Sequence, residues 1–156
     1  MSLKTGAKAP AFTLENQTGQ KVKLSDYAGQ WLVLYFYPRD NTSGCTREAC
    51  DFTDNLKAFE KINAVVLGVS PDSVKSHLNF IEKQALKIDL LSDPNHKVLE
   101  KYGVWQEKSM YGRKYFGVVR STFLIDPHGK IAHKWEKVKV AGHVEEILTR
   151  LAELKA

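Results

Sequence analysis

The spacing of apolar positions changes along this chain, and each change marks an element. Ala11 to Leu14 and Lys21 to Leu24 flank Asn16-Gln17-Thr18-Gly19, which predicts two short strands joined by a hairpin turn. Trp31 to Tyr37, rich in aromatic and β-branched residues, predicts a central strand that stops at Pro38. From Cys45 the pattern turns helical, through Ala49, Phe52, Leu56 and Phe59, predicting a helix that Cys45 opens and that runs to about Lys61. Ala64 to Val69 is a continuous apolar run suited to a strand buried on both faces, and Val74, Leu78, Ile81 and Ala85 give a helical stripe after Pro71-Asp72. Asp89 to Leu91 predicts a short strand, and Lys97 to Tyr102 a short helix ended by Gly103. Val118 to Ile125 and Ile131 to Trp135 flank the turn Asp126-Pro127-His128-Gly129, and Val144, Ile147, Leu148, Leu151 and Leu154 form one face of a closing helix. The series is that of an α/β protein with a mixed sheet and helices packed on it.

The chain of 156 residues has no repeat, low-complexity tract or linker, so residues 1–156 are expected to form one domain. A net charge of +5 raises the question of an acidic partner. The lysines are spread out, however, and no basic block is interleaved with stacking aromatics, so no nucleic-acid partner is expected. No stretch approaches the ~20 apolar residues of a membrane span. The start, Met1-Ser2-Leu3-Lys4-Thr5-Gly6, lacks the apolar core of a signal peptide, and a cytoplasmic location is expected.

In a reducing compartment the two cysteines, Cys45 and Cys50, are better suited to chemistry or metal binding than to a permanent staple. Cys45 ends the segment Pro38-Arg39-Asp40-Asn41-Thr42-Ser43-Gly44-Cys45 at a strand-to-helix turn. Its sulfur would lie near unpaired backbone N–H groups and the positive end of the helix dipole, surroundings that favour a thiolate. On one regular helix, residues five apart have Cα atoms about 8 to 9 Å apart. A disulfide wants roughly 4.4 to 6.8 Å, so the two thiols could join only after the first turns unwind. Zinc is poorly served: Cys-x4-Cys supplies two ligands, and His77, His96, His128, His133 and His143 show no Cys/His cluster spacing, so neither metal nor cofactor is expected. Two inert buried cysteines remain the plain alternative.

Pro38, Thr42 and Cys45 match the Pro-x-x-x-Thr/Ser-x-x-Cys motif of peroxiredoxins, and Cys45-Thr46-Arg47-Glu48-Ala49-Cys50 is similar to the Q-type branch, also called bacterioferritin comigratory protein. The likeness extends to Gly6-Ala7-Lys8-Ala9-Pro10-Ala11-Phe12 and to Arg120-Ser121-Thr122-Phe123-Leu124-Ile125-Asp126. This resemblance implies a thioredoxin-like fold with an N-terminal hairpin, and a thiol peroxidase acting on hydrogen peroxide and organic hydroperoxides. It further implies that Cys45 attacks, Cys50 resolves the product as an intramolecular disulfide, and thioredoxin is the electron donor. A resolving cysteine within the chain fits a monomer.

By the same resemblance Arg120 supplies a guanidinium, Thr42 a hydroxyl, and the backbone around Gly44 and Cys45 N–H groups to the reacting oxygens, while Pro38 shields them. Glu48 is expected to hold Arg120 by a bidentate contact, or to serve only as an acid in a helix's first turn. Thr42 could equally be a capping or turn hydroxyl. Trp105, Met110 and Tyr111 are candidates for the peroxide entrance, with core or loop packing as the alternative. Two rival readings are a general thiol-disulfide oxidoreductase, disfavoured by the lack of Cys-x-x-Cys, and a redox-sensing or chaperone-like module that turns nothing over.

Overall fold

The structure, a computed structural model, describes residues 3–155. Met1 and Ser2, part of the polar start, and Ala156, the last residue of the expected domain, lie outside the described residues. Strands β1 (Thr13–Glu15) and β2 (Lys21–Lys23) form the N-terminal hairpin around the predicted turn. Next come β3 (Trp31–Phe36), α1 (Ser43–Asp54), α2 (Leu56–Lys61), β4 (Ala64–Ser70), α3 (Val74–Gln84), β5 (Asp89–Ser92) and α4 (Lys97–Lys101). The chain closes with β6 (Trp105–Met110), β7 (Arg113–Val118), β8 (Ser121–Ile125), β9 (Ile131–Trp135) and α5 (His143–Lys155). Seven strands form one mixed sheet in the order β2-β1-β5-β4-β3-β8-β9, and β6 pairs with β7 in a separate ribbon.

Strand β3 is central, paired in parallel with β4 and antiparallel with β8. Alternation along it feeds two cores. Leu32, Leu34 and Phe36 join Val98 and Leu99 of α4 and its C-cap residue Tyr102 on one face. Val33, Tyr35 and Tyr37 join Cys45, Ala49 and Phe52 of α1, Phe80 of α3, and Val144, Ile147 and Leu151 of α5 on the other. Cys45 therefore sits on a helix seated against the middle of the sheet, where both faces are covered and the strands run apolar throughout.

Four expectations need correction. The helix begins at Ser43, with Thr42 extended at its N-cap, so Cys45 is its third residue. It also breaks at Asn55, whose side-chain amide and backbone N–H both donate to the Asp51 carbonyl, a competition with the helix ladder that asparagine favours. Helix α3 is rotated from its expected stripe: His77 and Phe80 are buried while Leu78 is 40% exposed, because polar partners draw His77 inward. Lastly, the run Val118 to Ile125 is two strands, since the chain leaves the β6–β7 ribbon at Val118 and enters the main sheet at Ser121. Arg120 lies at that junction and not within a strand.

Gly68 in β4 lets the Tyr35 ring cross it. A Cβ there would come within 2.7 Å of Tyr35 Cζ and 2.8 Å of Leu90 Cδ2, both in the close-packed core. Gly68→Ala should therefore cost about 1–3 kcal/mol of stability in urea denaturation, and an unchanged midpoint would refute this packing.

Candidate functional site

The strand-to-helix segment is shaped by local bonds. Pro38 ends β3 and is half-buried, Asn41 takes a left-handed conformation with φ 62°, and the Thr42 carbonyl accepts the first helical bond from Thr46 at 2.8 Å. The Thr42 hydroxyl donates to the Arg39 carbonyl at 2.9 Å and makes no cap bond to α1. It is thus a turn hydroxyl in this state, with its oxygen lone pairs left to accept.

Cys45 is buried, and its backbone N–H is among the helix-start donors that lack an intrahelical partner. Arg120, arriving from the sheet junction, donates through Nη2 to Cys45 Sγ at 3.2 Å and through Nη1 to Glu48 Oε1 at 2.6 Å. Glu48 lies three residues after Cys45 on the same face of α1. A Cβ on Gly44 would lie 3.4 Å from Arg120 Nη2, about van der Waals contact, so the guanidinium lies directly against the first turn. Cation, sulfur and helix N-terminus converge on one spot, where negative charge on sulfur or on oxygens beside it would be stabilised.

The ion pair is unequal. The Glu48 side chain is fully buried and its Oε2 has no partner; burial raises its pKa to about 7 despite the pull of Arg120. Arg120 is partly open to solvent, so although burial opposes its charge, Glu48 and Cys45 outweigh that and hold it more firmly as a cation. Cys50, half-buried further along α1, stands in opposite surroundings. Burial first, then the Asp54 and Asp51 carboxylates, push its thiol pKa up. Both cysteines are free thiols on one unbroken helix, the arrangement for which a disulfide demands unwinding.

The structure brings Cys45, Glu48, Arg120 and Gly44 together as the sequence suggested. It does not bring Met110 or Tyr111 there: they are 56% and 99% exposed at the tip of the β6–β7 ribbon, where a two-residue turn has φ of 52° and 77° at Tyr111 and Gly112. Trp105 stacks on His96, ring centroids 3.9 Å apart, and packs on the core. The ribbon instead turns Lys108 toward the site, where burial and the Arg120 charge lower its pKa while Cys45 raises it. No sequence signal singles out Lys108.

A second polar group lies behind the loop. His77 Nδ1 is 2.7 Å from Asp40 Oδ2 and its Nε2 is 2.9 Å from the Leu91 carbonyl. Asp40 also accepts from the Tyr37 hydroxyl at 2.6 Å and the Ser76 hydroxyl at 2.8 Å. Asp72 Oδ2 accepts from the Asp40 N–H at 2.8 Å and from the Ser70 hydroxyl at 2.7 Å. The ligand-type atoms of Asp40, Asp72 and His77 lie within 4.8 Å of one another, close enough for a metal, but both His77 nitrogens are already committed to acceptors. The donor set is that of a closed hydrogen-bond network.

Comparison with known proteins places these residues in context. The model of the AhpC/TSA family matches residues 5–134. Peroxiredoxin Bcp of Bacillus subtilis is 49% identical over 154 residues, covering 99% of this chain and 98% of the relative. Peroxiredoxin Bcp of Escherichia coli K12 is 44% identical over 151 residues, 97% of each. Among solved structures, a mutant of Xylella fastidiosa PrxQ superposes with a TM-score of 0.95 at 42% identity, covering 100% of this chain and 99% of that one. The Xanthomonas campestris bacterioferritin comigratory protein, described for alkyl peroxide reduction, gives 0.92 at 42% identity, covering 98% of this chain and all of that one.

Glu48 supplies a pH test. Its folded pKa of about 7 lies above the ordinary 4.5, so the folded state keeps a proton that the unfolded chain releases. The stability linked to this group is full below about pH 4.5, is lost as pH rises, and levels off above about 7, a total on the order of 3 kcal/mol. Urea unfolding across that window should show the loss in the parent protein and not in Glu48→Gln; parallel curves would refute it.

Proposed function

Since the chain belongs to the AhpC/TSA family, within its Q-type or Bcp branch of thioredoxin-fold thiol peroxidases, we propose that Cys45 is the thiol that attacks the peroxide and Cys50 the thiol that resolves the product. One contrast carries the assignment: Sγ of Cys45 accepts a hydrogen bond from the Arg120 guanidinium at 3.2 Å, whereas Cys50 sits beside Asp51 and Asp54. Of the two, only Cys45 has surroundings that stabilise an anionic sulfur and the charge that flows from it.

In the reaction the Cys45 thiolate attacks one peroxide oxygen, the S–O bond forms as the O–O bond breaks, and the other oxygen leaves as water or alcohol after taking a proton. Ionising an ordinary thiol completely gains little more than tenfold at neutral pH, roughly 1.5 to 2 kcal/mol. The larger share falls to donors held in place for the transition state. Arg120, fixed by Glu48, and the first N–H groups of α1 near Gly44 are those donors; Thr42, already donating to Arg39, offers its oxygen as an acceptor for the peroxide O–H. Pro38 borders the loop that carries them.

Cys45 sulfenic acid then condenses with the Cys50 thiol, releasing water and forming a disulfide. A dithiol reductant, for which thioredoxin is our candidate, returns both thiols by exchange and becomes a disulfide itself. Hydrogen peroxide and organic hydroperoxides are the substrates. A monomer suffices because both thiols belong to one chain, and the cytoplasm suits a pair that must be re-reduced each cycle.

Hydroperoxide-dependent NADPH oxidation with thioredoxin and its reductase tests this. Turnover should vanish in Cys45→Ser and in Cys50→Ser, with Cys50→Ser still oxidised once at Cys45; normal turnover by Cys45→Ser would sink the assignment. Arg120→Met should lower kcat/KM by about 10²–10³ with the fold retained, and a loss under threefold would remove Arg120 from the chemistry.

A further inference from the structure

The Asp40 network is built at the other end of the loop from the sulfur and takes no part in the chemistry above. Asp40 is held from every side. Its carboxylate accepts from Tyr37, Ser76 and His77, and its own N–H donates to Asp72. The His77 and Asp40 side chains are 0% and 1% exposed, so these contacts are made away from water. Both His77 nitrogens are engaged, Nδ1 with Asp40 Oδ2 at 2.7 Å and Nε2 with the Leu91 carbonyl at 2.9 Å, so the ring is pinned at both ends between the loop and β5. The network ties the loop to four elements: the end of β3 through Tyr37, β4 through Asp72 and Ser70, α3 through Ser76 and His77, and β5 through Leu91.

Immediately after this anchor the chain changes character. Asn41 takes the left-handed conformation, φ 62°, which asparagine adopts more readily than other side chains and which reverses the chain direction, and residues 41–43 are exposed. The buried attachment ends at Asp40, and a solvated turn leads from it directly into the first turn of α1. That turn is the part that must unwind if Cys45 is to reach Cys50.

We infer that the buried Asp40–His77 pair is a positioning clamp that fixes the upstream limit of α1 unwinding and so sets how oxidised Cys45 divides between two fates. The inference rests on the assignment of Cys45 and Cys50 above. In the wound state Cys45 sulfenic acid cannot meet Cys50 and is open to a second hydroperoxide, which transfers one oxygen, leaves as alcohol and yields the sulfinic acid. In the unwound state the sulfenic acid condenses with Cys50, the oxygen leaving as water. By holding Asp40, the clamp keeps the wound, attack-competent state populated; releasing it shifts the balance toward unwinding.

The test is a graded hydroperoxide challenge of the reduced protein, with intact-mass spectrometry of the disulfide and sulfinic forms and stopped-flow measurement of the first oxidation. In His77→Gln, whose amide cannot reproduce both ring contacts, the disulfide-to-sulfinic ratio should rise by at least about tenfold and the first oxidation should slow. Ser76→Ala, losing one hydroxyl bond to Asp40, should shift the ratio the same way by less, and keeps the test open if His77→Gln does not fold. Tyr102→Phe, which gives up a hydrogen bond to the Pro10 carbonyl on the opposite face of the sheet, is the control for general destabilisation and should leave the ratio unchanged. An unchanged ratio in both network variants, or an equal shift in Tyr102→Phe, overturns the clamp. A parent protein that forms neither product at Cys45 overturns the functional reading instead.

Discussion

Everything at the sulfur depends on a buried carboxylate that has only one partner. Glu48 is excluded from water, and the 2.6 Å bond from Arg120 is the one hydrogen bond its side chain makes among the described residues. Desolvating a carboxylate is expensive, and a pair of this kind contributes little net stability compared with an apolar replacement. What it provides is direction. With Nη1 committed to Glu48, Nη2 is turned to the start of α1, beside Gly44, where Cys45 presents its sulfur. The cation arrives from the junction between two sheets, so long-range topology and a short-range helix spacing must agree within tenths of an ångström.

The sheet beneath that helix is under matching constraint. Tyr35 lies below α1, stacked on Tyr37 and Phe52, with its ring passing over Gly68 and its hydroxyl buried without a partner. Burial, and then the charges of Glu48 and Cys45, hold that hydroxyl firmly protonated. Two unsatisfied polar atoms, Tyr35 Oη and Glu48 Oε2, thus lie on the same side of the sheet as the reactive thiol. Buried unsatisfied groups are uncommon in native proteins, and of the three among the described residues two lie here, the third being Arg150 Nε on α5.

The strands and the reactive cysteine were legible in sequence because period and turn chemistry are local: the apolar runs from Trp31 and Ala64, the stop at Pro38, and the turns at Asn16-Gly19 and Asp126-Gly129. The face of α3 was misread because Leu78 is apolar and His77 is not. A buried Asp40 outweighs that preference, and the partnership spans 37 residues of sequence. The β6–β7 ribbon was missed because most of its residues are exposed on both sides, leaving no alternation to detect beyond the turn glycine. Arg120 was found through its motif, but its place at a sheet junction, and the approach of Lys108, are consequences of topology that no local window contains.

The interruption at Asn55 gives α1 an end of its own. A continuous helix from Ser43 to Lys61 would be one cooperative unit, and fraying at its start would draw on the stability of residues such as Phe59 that are fully buried. Divided at Asn55, whose amide bonds back to the Asp51 carbonyl, the segment is two shorter helices, a division that lets their opening free energies differ. Loss of order around Cys45 and Cys50 can then stop short of α2, which stays seated against β4 as a floor onto which the displaced turns rewind.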